Sequence, residues 1–467
     1  MSFNSGMLFC VLLIFGTLIY GLHYTKKNNK SGWNTAILGV LVLFIGYSSY
    51  STVIIRANAN PPINMSVPDD AMRLSSYLQR EQYGDWPIVS GQNYNQKNPF
   101  TVPVSYESDG KIYAKNDSTS KYETIGENRK PVYSQSSFFP RMFSDQRIEG
   151  YNRWRGIGDQ PKRIINGQTN PEYLQWANSI MQEISFGENL KFFFDYQIGW
   201  SYMRYFMWNF AGRQNDVASM DRNNKIYGNW ESGIGYSDEG VPAYLKNNKA
   251  KNHYYFLPLI IGLLGAYFHF KSKKTDALSV LLFFLFTGIF IIVYLNVTPD
   301  QPRERDYAYV GSFYAFAIWI GLGVLALFEF LKKKVNANIA SILATIVCLI
   351  GSPILMASEN WDDHDRTGRT IALDIGKNYL ASCEDNAILF TNGDNDTYPL
   401  WYAQEVEGIR TDIKIVNTSL LNSSEYIDHV KYKTYEAEGM PHKLTDDFYT
   451  YKGRATIVNN GGKAKRI

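Results

Sequence analysis

Asp300, Arg303, Glu304, Arg305 and Asp306 put five charges into seven consecutive positions, inside the stretch 298–311. Pro299 and Pro302 stop an incoming helix there, because proline lacks a backbone N–H and restricts the residue before it. A guanidinium is a planar fork of donors that matches a phosphate or a carboxylate. The chemistry this points to is capture of a charged lipid headgroup by Arg303 and Arg305, with Asp300, Glu304 and Asp306 as polar site candidates. The plainer reading is a surface turn whose arginines pair with their own acidic neighbours.

Three other clusters carry chemistry. Trp361-Asp362-Asp363-His364-Asp365-Arg366 groups three carboxylates and an imidazole, donors suited to a divalent cation or a general base. Consecutive helical residues point in different directions, so no metal site is expected; Asp362, Asp363, His364 and Asp365 are polar site candidates, with a solvated helix start as the plainer role. Asn392-Gly393-Asp394-Asn395-Asp396-Thr397 follows a strand-like run at 387–390, and α/β units bind ligands at strand C-terminal ends. It has neither the glycine spacing of a phosphate loop nor the sixth-position glycine of a calcium loop. Asn392, Asp394 and Asp396 are therefore polar site candidates, with an Asx turn and a helix cap from Asp396 or Thr397 as the plainer role. Trp200, Arg204 and Trp208 recur at i, i+4 and i+8, which puts them on one helical face. That face can contact lipid or sugar, or simply anchor a helix at headgroup level.

The elements that must position these residues are apolar runs. Six cover 7–23, 35–55, 254–270, 277–296, 311–331 and 337–357, and about 20 apolar residues suffice to cross a bilayer. Lys26, Lys27 and Lys30 follow the first run; Lys271, Lys273 and Lys274 follow the third; Lys332, Lys333 and Lys334 follow the fifth. With six crossings all three clusters fall on one side, which the positive-inside rule makes cytoplasmic. The polar segments 56–253 and 358–467 and the connector 297–310 are then extracytoplasmic. No positive residue precedes the first run and lysines follow it, the reverse of a signal peptide.

The expected organisation is two spans in 1–55, an extracytoplasmic loop domain in 56–253, four spans in 254–357, and an incomplete extracytoplasmic α/β domain in 358–467. An in-plane interfacial helix is expected at 190–212 and short strand-like pieces at 111–114 and 132–133. In the α/β piece, strands at 387–390 and 413–416 flank a helix at 398–407. The fold class is a polytopic α-helical membrane protein with a large loop domain and a C-terminal soluble α/β piece. A mean hydropathy of −0.26 requires such polar domains beside the apolar runs. A net charge of +3, with no dense Lys/Arg run, gives no footprint for nucleic acid. Cys10, Cys348 and Cys383 fit neither a disulfide framework nor zinc spacing.

Seven segments carry a family likeness: 56–64 (Arg-Ala-Asn-Ala-Asn-Pro-Pro-Ile-Asn), 80–86, 138–142 (Phe-Phe-Pro-Arg-Met), 205–216, 298–313, 362–366 and 389–402. Together they resemble the bacterial protein O-mannosyltransferase-like membrane glycosyltransferases, glycosyltransferase family 117, formerly a domain of unknown function. The resemblance implies a GT-C architecture in the bacterial inner membrane, multi-pass with large periplasmic regions. It implies transfer of a sugar from a polyprenyl-phosphate carrier to Ser or Thr of an acceptor protein at the extracytoplasmic face. Membrane lipid is then a further partner, and no cofactor is needed beyond the lipid-phosphate-linked donor. Arg303 and Arg305 would hold the donor phosphate, whose charge grows as the sugar leaves.

That family's catalytic acid lies in its first extracytoplasmic loop, in an Asp-Cys-Gly-Glu type segment after a Trp, and no such string occurs here. The resemblance covers the second half of the membrane domain and the start of the tail, and assigns no catalytic residue in this chain. A separate chain supplying the N-terminal spans is then an expected partner. The alternative is a non-catalytic membrane scaffold that binds a partner in envelope assembly.

Overall fold

The structure is a computed structural model that describes the chain apart from residues 1–2, 82–83, 95–104, 117–118, 120, 134–135, 159–160, 166–167, 220–224, 442–456, 461–462 and 467. Part of the likeness at 80–86 lies outside the described residues. The chain divides into two units. One combines Met1–Gly84, Ser108–Asn128 and Gly368–Ile467; the other combines Asp85–Glu107 and Arg129–Thr367.

Among the described residues, five helices are long and apolar enough to cross a bilayer: Phe9–Lys27, Ser31–Asn58, Lys274–Leu295, Asp306–Leu331 and Ala337–His364. The remaining apolar run forms a shorter helix, Leu257–Ser272, of 16 residues. At 1.5 Å per residue it is about 24 Å long, short of a hydrocarbon core of about 30 Å.

In the first unit, Phe3–Lys27 and Ser31–Ser48 form an antiparallel hairpin closed by Asn34, whose amide donates to Leu22 O and Thr25 Oγ1 at 2.9 Å each. The strand-like piece at 111–114, and Val132 of the piece at 132–133, belong to one ribbon, Ser105–Asn116 paired with Lys121–Val132. In the C-terminal part, strands Ile388–Thr391 and Lys414–Asn417 pair in parallel, Ile388 opposite Lys414. The helix between them runs Asp394–Glu405, starting earlier than the sequence suggests. Leu380, Leu400, Ala403, Ile413 and Ile415 form the core beneath.

The second unit buries an aromatic core. Phe193, Tyr202, Tyr205, Phe206, Trp208 and Phe210 pack against Ile292, Tyr309, Phe313, Phe316 and Trp319. Along Leu257–Ser272 and Val310–Leu331 the backbones approach so closely that a Cβ on Gly265 would lie 1.8 Å from Trp319 O. Small residues at such contacts let apolar helices pack where lipid offers no hydrophobic drive.

The expected in-plane helix at 190–212 is realised as Phe186–Phe192, a π-helical stretch Phe193–Met203, and Arg204–Phe210. It is largely buried against the apolar helices. The helix ends before Gly212-Arg213, which form a short strand against Asn252-His253. Gly212 has φ +132°, and a Cβ there would lie 2.2 Å from Glu231 O, so this crossing requires glycine.

Candidate functional site

The connector is locked from outside by its acids. Glu304 accepts from Arg204 Nη2 at 2.7 Å and Nη1 at 3.2 Å, from the Ser219 N–H at 3.3 Å, and from the Tyr205 hydroxyl. Burial alone would raise the Glu304 carboxyl; the hydrogen bonds and charge of Arg204, with Tyr205, outweigh it and hold it below the ordinary range. Asp300, in a left-handed conformation at φ 56°, pairs with Arg153, and its carbonyl accepts from Arg147 at 2.9 Å. Gly150 makes that approach possible, since a Cβ there would lie 2.6 Å from Pro299.

The connector's own arginines are left over. Arg303 and Arg305 are exposed, and among the described residues neither side chain has an ion pair or hydrogen bond. Arg303 stands over the Tyr307 ring at 5.5 Å. The plainer reading, arginines neutralised by their acidic neighbours, is thus corrected: arginines elsewhere in the unit have taken Asp300 and Glu304.

Arg204 and Trp208 are buried, at 4% and 5% exposure. Arg204 stacks on Trp200 at 4.2 Å and Trp208 at 4.6 Å, so the three residues do meet. They meet facing inward, however, so Arg204 is a structural cation and not a surface contact for lipid or sugar.

Next to Arg305, Asp306 lines a cavity of about 490 Å³ within the same unit. Strand pairing sets one wall, because Arg213 and Asn252 are opposite each other in register. The helix ending at His364 sets another, with Asn360, Trp361, Asp363 and His364. Asn252 Nδ2 donates to Asn360 Oδ1 and Asp363 Oδ2, both at 3.0 Å, and Asn360 donates to the Tyr254 hydroxyl. Burial pushes the Tyr254 phenol up to about 12 against the hydrogen bond from Asn360, so it stays neutral. His364 Nδ1 lies against Asp363 Oδ1 and 3.0 Å from Asn360 O, which makes Nδ1 the protonated nitrogen. Arg213 stacks on Trp208 at 4.1 Å and its Nε donates to Asn215 O at 3.0 Å.

The expected site residues are thereby sorted. Asp306, Asp363, His364 and Trp208 come together; Asp362 and Asp365 are exposed, and Asp365 accepts from the Thr367 N–H. Among the described residues no group of three or more His, Cys, Asp or Glu is placed to hold a metal. Asn392, Asp394 and Asp396 belong to the other unit. There Asp396 accepts from the Asn392 and Gly393 N–H groups at 2.8 and 2.9 Å, a helix cap. The sequence reading missed Asn252, Tyr254, Arg213 and Asn360. Only Asn360 carried a signal, its place one position before the Trp361–Arg366 cluster.

A family model described as TMEM260-associated domain 2 matches residues 372–466, and a family of unknown function, DUF8416, matches residues 84–194. Each covers less than half of the chain. The second match contains Arg147 and Arg153, the clamps on Asp300. No curated protein and no solved structure matches.

Proposed function

We propose that this chain is part of a membrane glycosyltransferase of the O-mannosyltransferase-like kind, working at the extracytoplasmic face of a bacterial inner membrane. Its donor is a polyprenyl-phosphate sugar and its acceptor a protein Ser or Thr. Arg303 and Arg305 hold the donor phosphate. The single observation that carries this reading is the pairing pattern of the connector. Two carboxylates are anchored by outside arginines, and two guanidinium groups of the connector remain exposed. A phosphate is the partner such a fork accepts most strongly. The TMEM260-associated domain match supports a glycosyltransferase-like membrane protein.

The test is glycan transfer in membranes containing the full chain, a chain that supplies the N-terminal spans, a lipid-phosphate sugar and an acceptor protein, with Arg303→Ala/Arg305→Ala as the variant. Transfer should fall by at least about 100-fold, since each charge-assisted contact contributes roughly 1.5–3 kcal/mol, while folded yield is unchanged. Undiminished transfer by a folded double variant would remove the phosphate role.

A further inference from the structure

The helix Ile371–Ala381 of the first unit is apolar on two sides. One side packs on the α/β core. Leu373 and Leu380 belong to that core, and Gly376 lets the helix approach so closely that a Cβ there would lie 2.7 Å from Pro399 O. The other side carries Ile371, Ile375 and Tyr379, at 75%, 48% and 57% exposure. Their i, i+4 and i+8 spacing makes them one stripe. Single exposed apolar residues are ordinary on a protein surface. The outward face of a helix on a soluble core is polar, however, so a stripe that is apolar along its length marks a surface that something covers.

Attachment and charge point to a lipid surface as the cover. His429 Nε2 lies 2.8 Å from Pro62 O, which ties the α/β part to a segment four residues beyond the apolar helix Ser31–Asn58. The link from the apolar helix Ala337–His364 to Ile371 has six residues, and a chain of that length reaches at most about 20 Å. Neither attachment is long enough to carry the helix far from a membrane that those apolar helices cross. Within 368–381, two cations, Arg369 and Lys377, stand with one carboxylate, Asp374, which accepts from the Thr370 hydroxyl at 2.7 Å. Arg369 is exposed, and among the described residues no ion pair or hydrogen bond holds its side chain. A cation beside an apolar stripe suits a phosphate headgroup above acyl chains, and a tyrosine suits the boundary between them.

We infer that the helix Ile371–Ala381 docks on the bilayer surface, with Ile371 and Ile375 in the acyl region, Tyr379 at the boundary and Arg369 on an anionic phospholipid headgroup. The inference needs only that the apolar helices cross a membrane, and it is independent of the glycosyltransferase reading.

The experiment is carbene labelling of the unsubstituted full chain in nanodiscs, read by mass spectrometry of the peptides covering 370–381. One probe is a phospholipid with a diazirine in its acyl chain, and the other is a water-soluble diazirine. Adducts from the lipid probe are expected on Ile371 and Ile375, with few from the soluble probe. Adducts from the soluble probe alone would mean an open face, and adducts from neither would mean a protein cover such as a second copy; each overturns the inference. Ile371→Asn/Ile375→Asn, at two exposed positions, should keep the thermal midpoint of the wild type and lose the lipid adducts on Ala372 and Tyr379. Retained adducts there would overturn it as well. Phosphatidylglycerol nanodiscs should give severalfold more lipid adduct than phosphatidylcholine ones, and Arg369→Ala should remove the difference. Equal yields from the wild type in both lipids would overturn the headgroup contact.

Discussion

Arg204 reaches Glu304 across 100 residues of sequence, at 2.7 Å, with 4% of its own side chain and 16% of the glutamate's exposed. This pair ties the aromatic helical segment to the charged connector and decides which connector charges remain free.

Removing Arg204 should be severe. Arg204→Ala leaves Glu304 largely buried without its cation, a change that costs about 3–5 kcal/mol. Thermal unfolding in detergent should show a markedly lower midpoint. Glu304→Gln should cost less, because the amide keeps one acceptor for Arg204.

The same pair sets an acid limit. The Glu304 carboxyl lies below its ordinary value of 4.5, so its contribution is present above that pH and is lost as pH falls through the lower folded-state value. Stability followed from pH 7 to pH 3 should drop below about pH 4.5 in the wild type, with a smaller drop over that window in Glu304→Gln. Identical profiles would show that the pair does not govern acid stability.

Arg141 is fully buried and donates to Val293 O at 3.1 Å and Ile88 O at 2.6 Å; burial pushes it down to about 10. Its carbonyl partner Val293 lies at the end of the Ile289–Leu295 helix, where a cation suits the helix dipole. Arg141→Met should lower stability by about 2–4 kcal/mol, since it strands two part-buried carbonyls. Denaturant titration of the detergent-solubilised chain checks this.

In the other unit, His429 Nε2 lies 2.8 Å from Pro62 O, joining the C-terminal α/β part to the segment after the second apolar helix. Burial lowers the His429 imidazole against that hydrogen bond, so the folded state favours neutral histidine. This contribution is present above the ordinary value of 6.5 and is lost as pH falls through the lower folded value. Proteolysis near residue 62 should accelerate between pH 7 and pH 5 in the wild type, and His429→Gln should flatten that dependence.

The apolar runs were legible because a crossing helix needs a continuous run of apolar residues, and that is local information. The parallel pair Ile388–Thr391 and Lys414–Asn417 was legible for the same reason, from two short strand-like runs about a helix. The orientation of Trp200, Arg204 and Trp208 was not. Their spacing gave their mutual contact, but a stripe has no sign, and the choice between membrane surface and protein core depends on Phe313, Phe316 and Trp319 far along the chain. The connector's pairing was hidden likewise: five adjacent charges look self-neutralising until Arg153 and Arg204 arrive from other elements. The start of the Leu257–Ser272 helix was misplaced because Tyr254 and Tyr255 are apolar by composition, yet the left-handed backbone at Tyr255 and Phe256 precedes the helix.

The central claim is that Arg303 and Arg305 together hold a lipid-linked phosphate, and equilibrium binding tests it most directly. A short-chain polyprenyl phosphate is titrated into nanodiscs bearing the wild type, Arg303→Ala/Arg305→Ala, and the surface control Lys333→Ala. The account predicts saturable binding to wild type and control, and at least about a 100-fold loss in the double variant. Equal affinity in all three would contradict it.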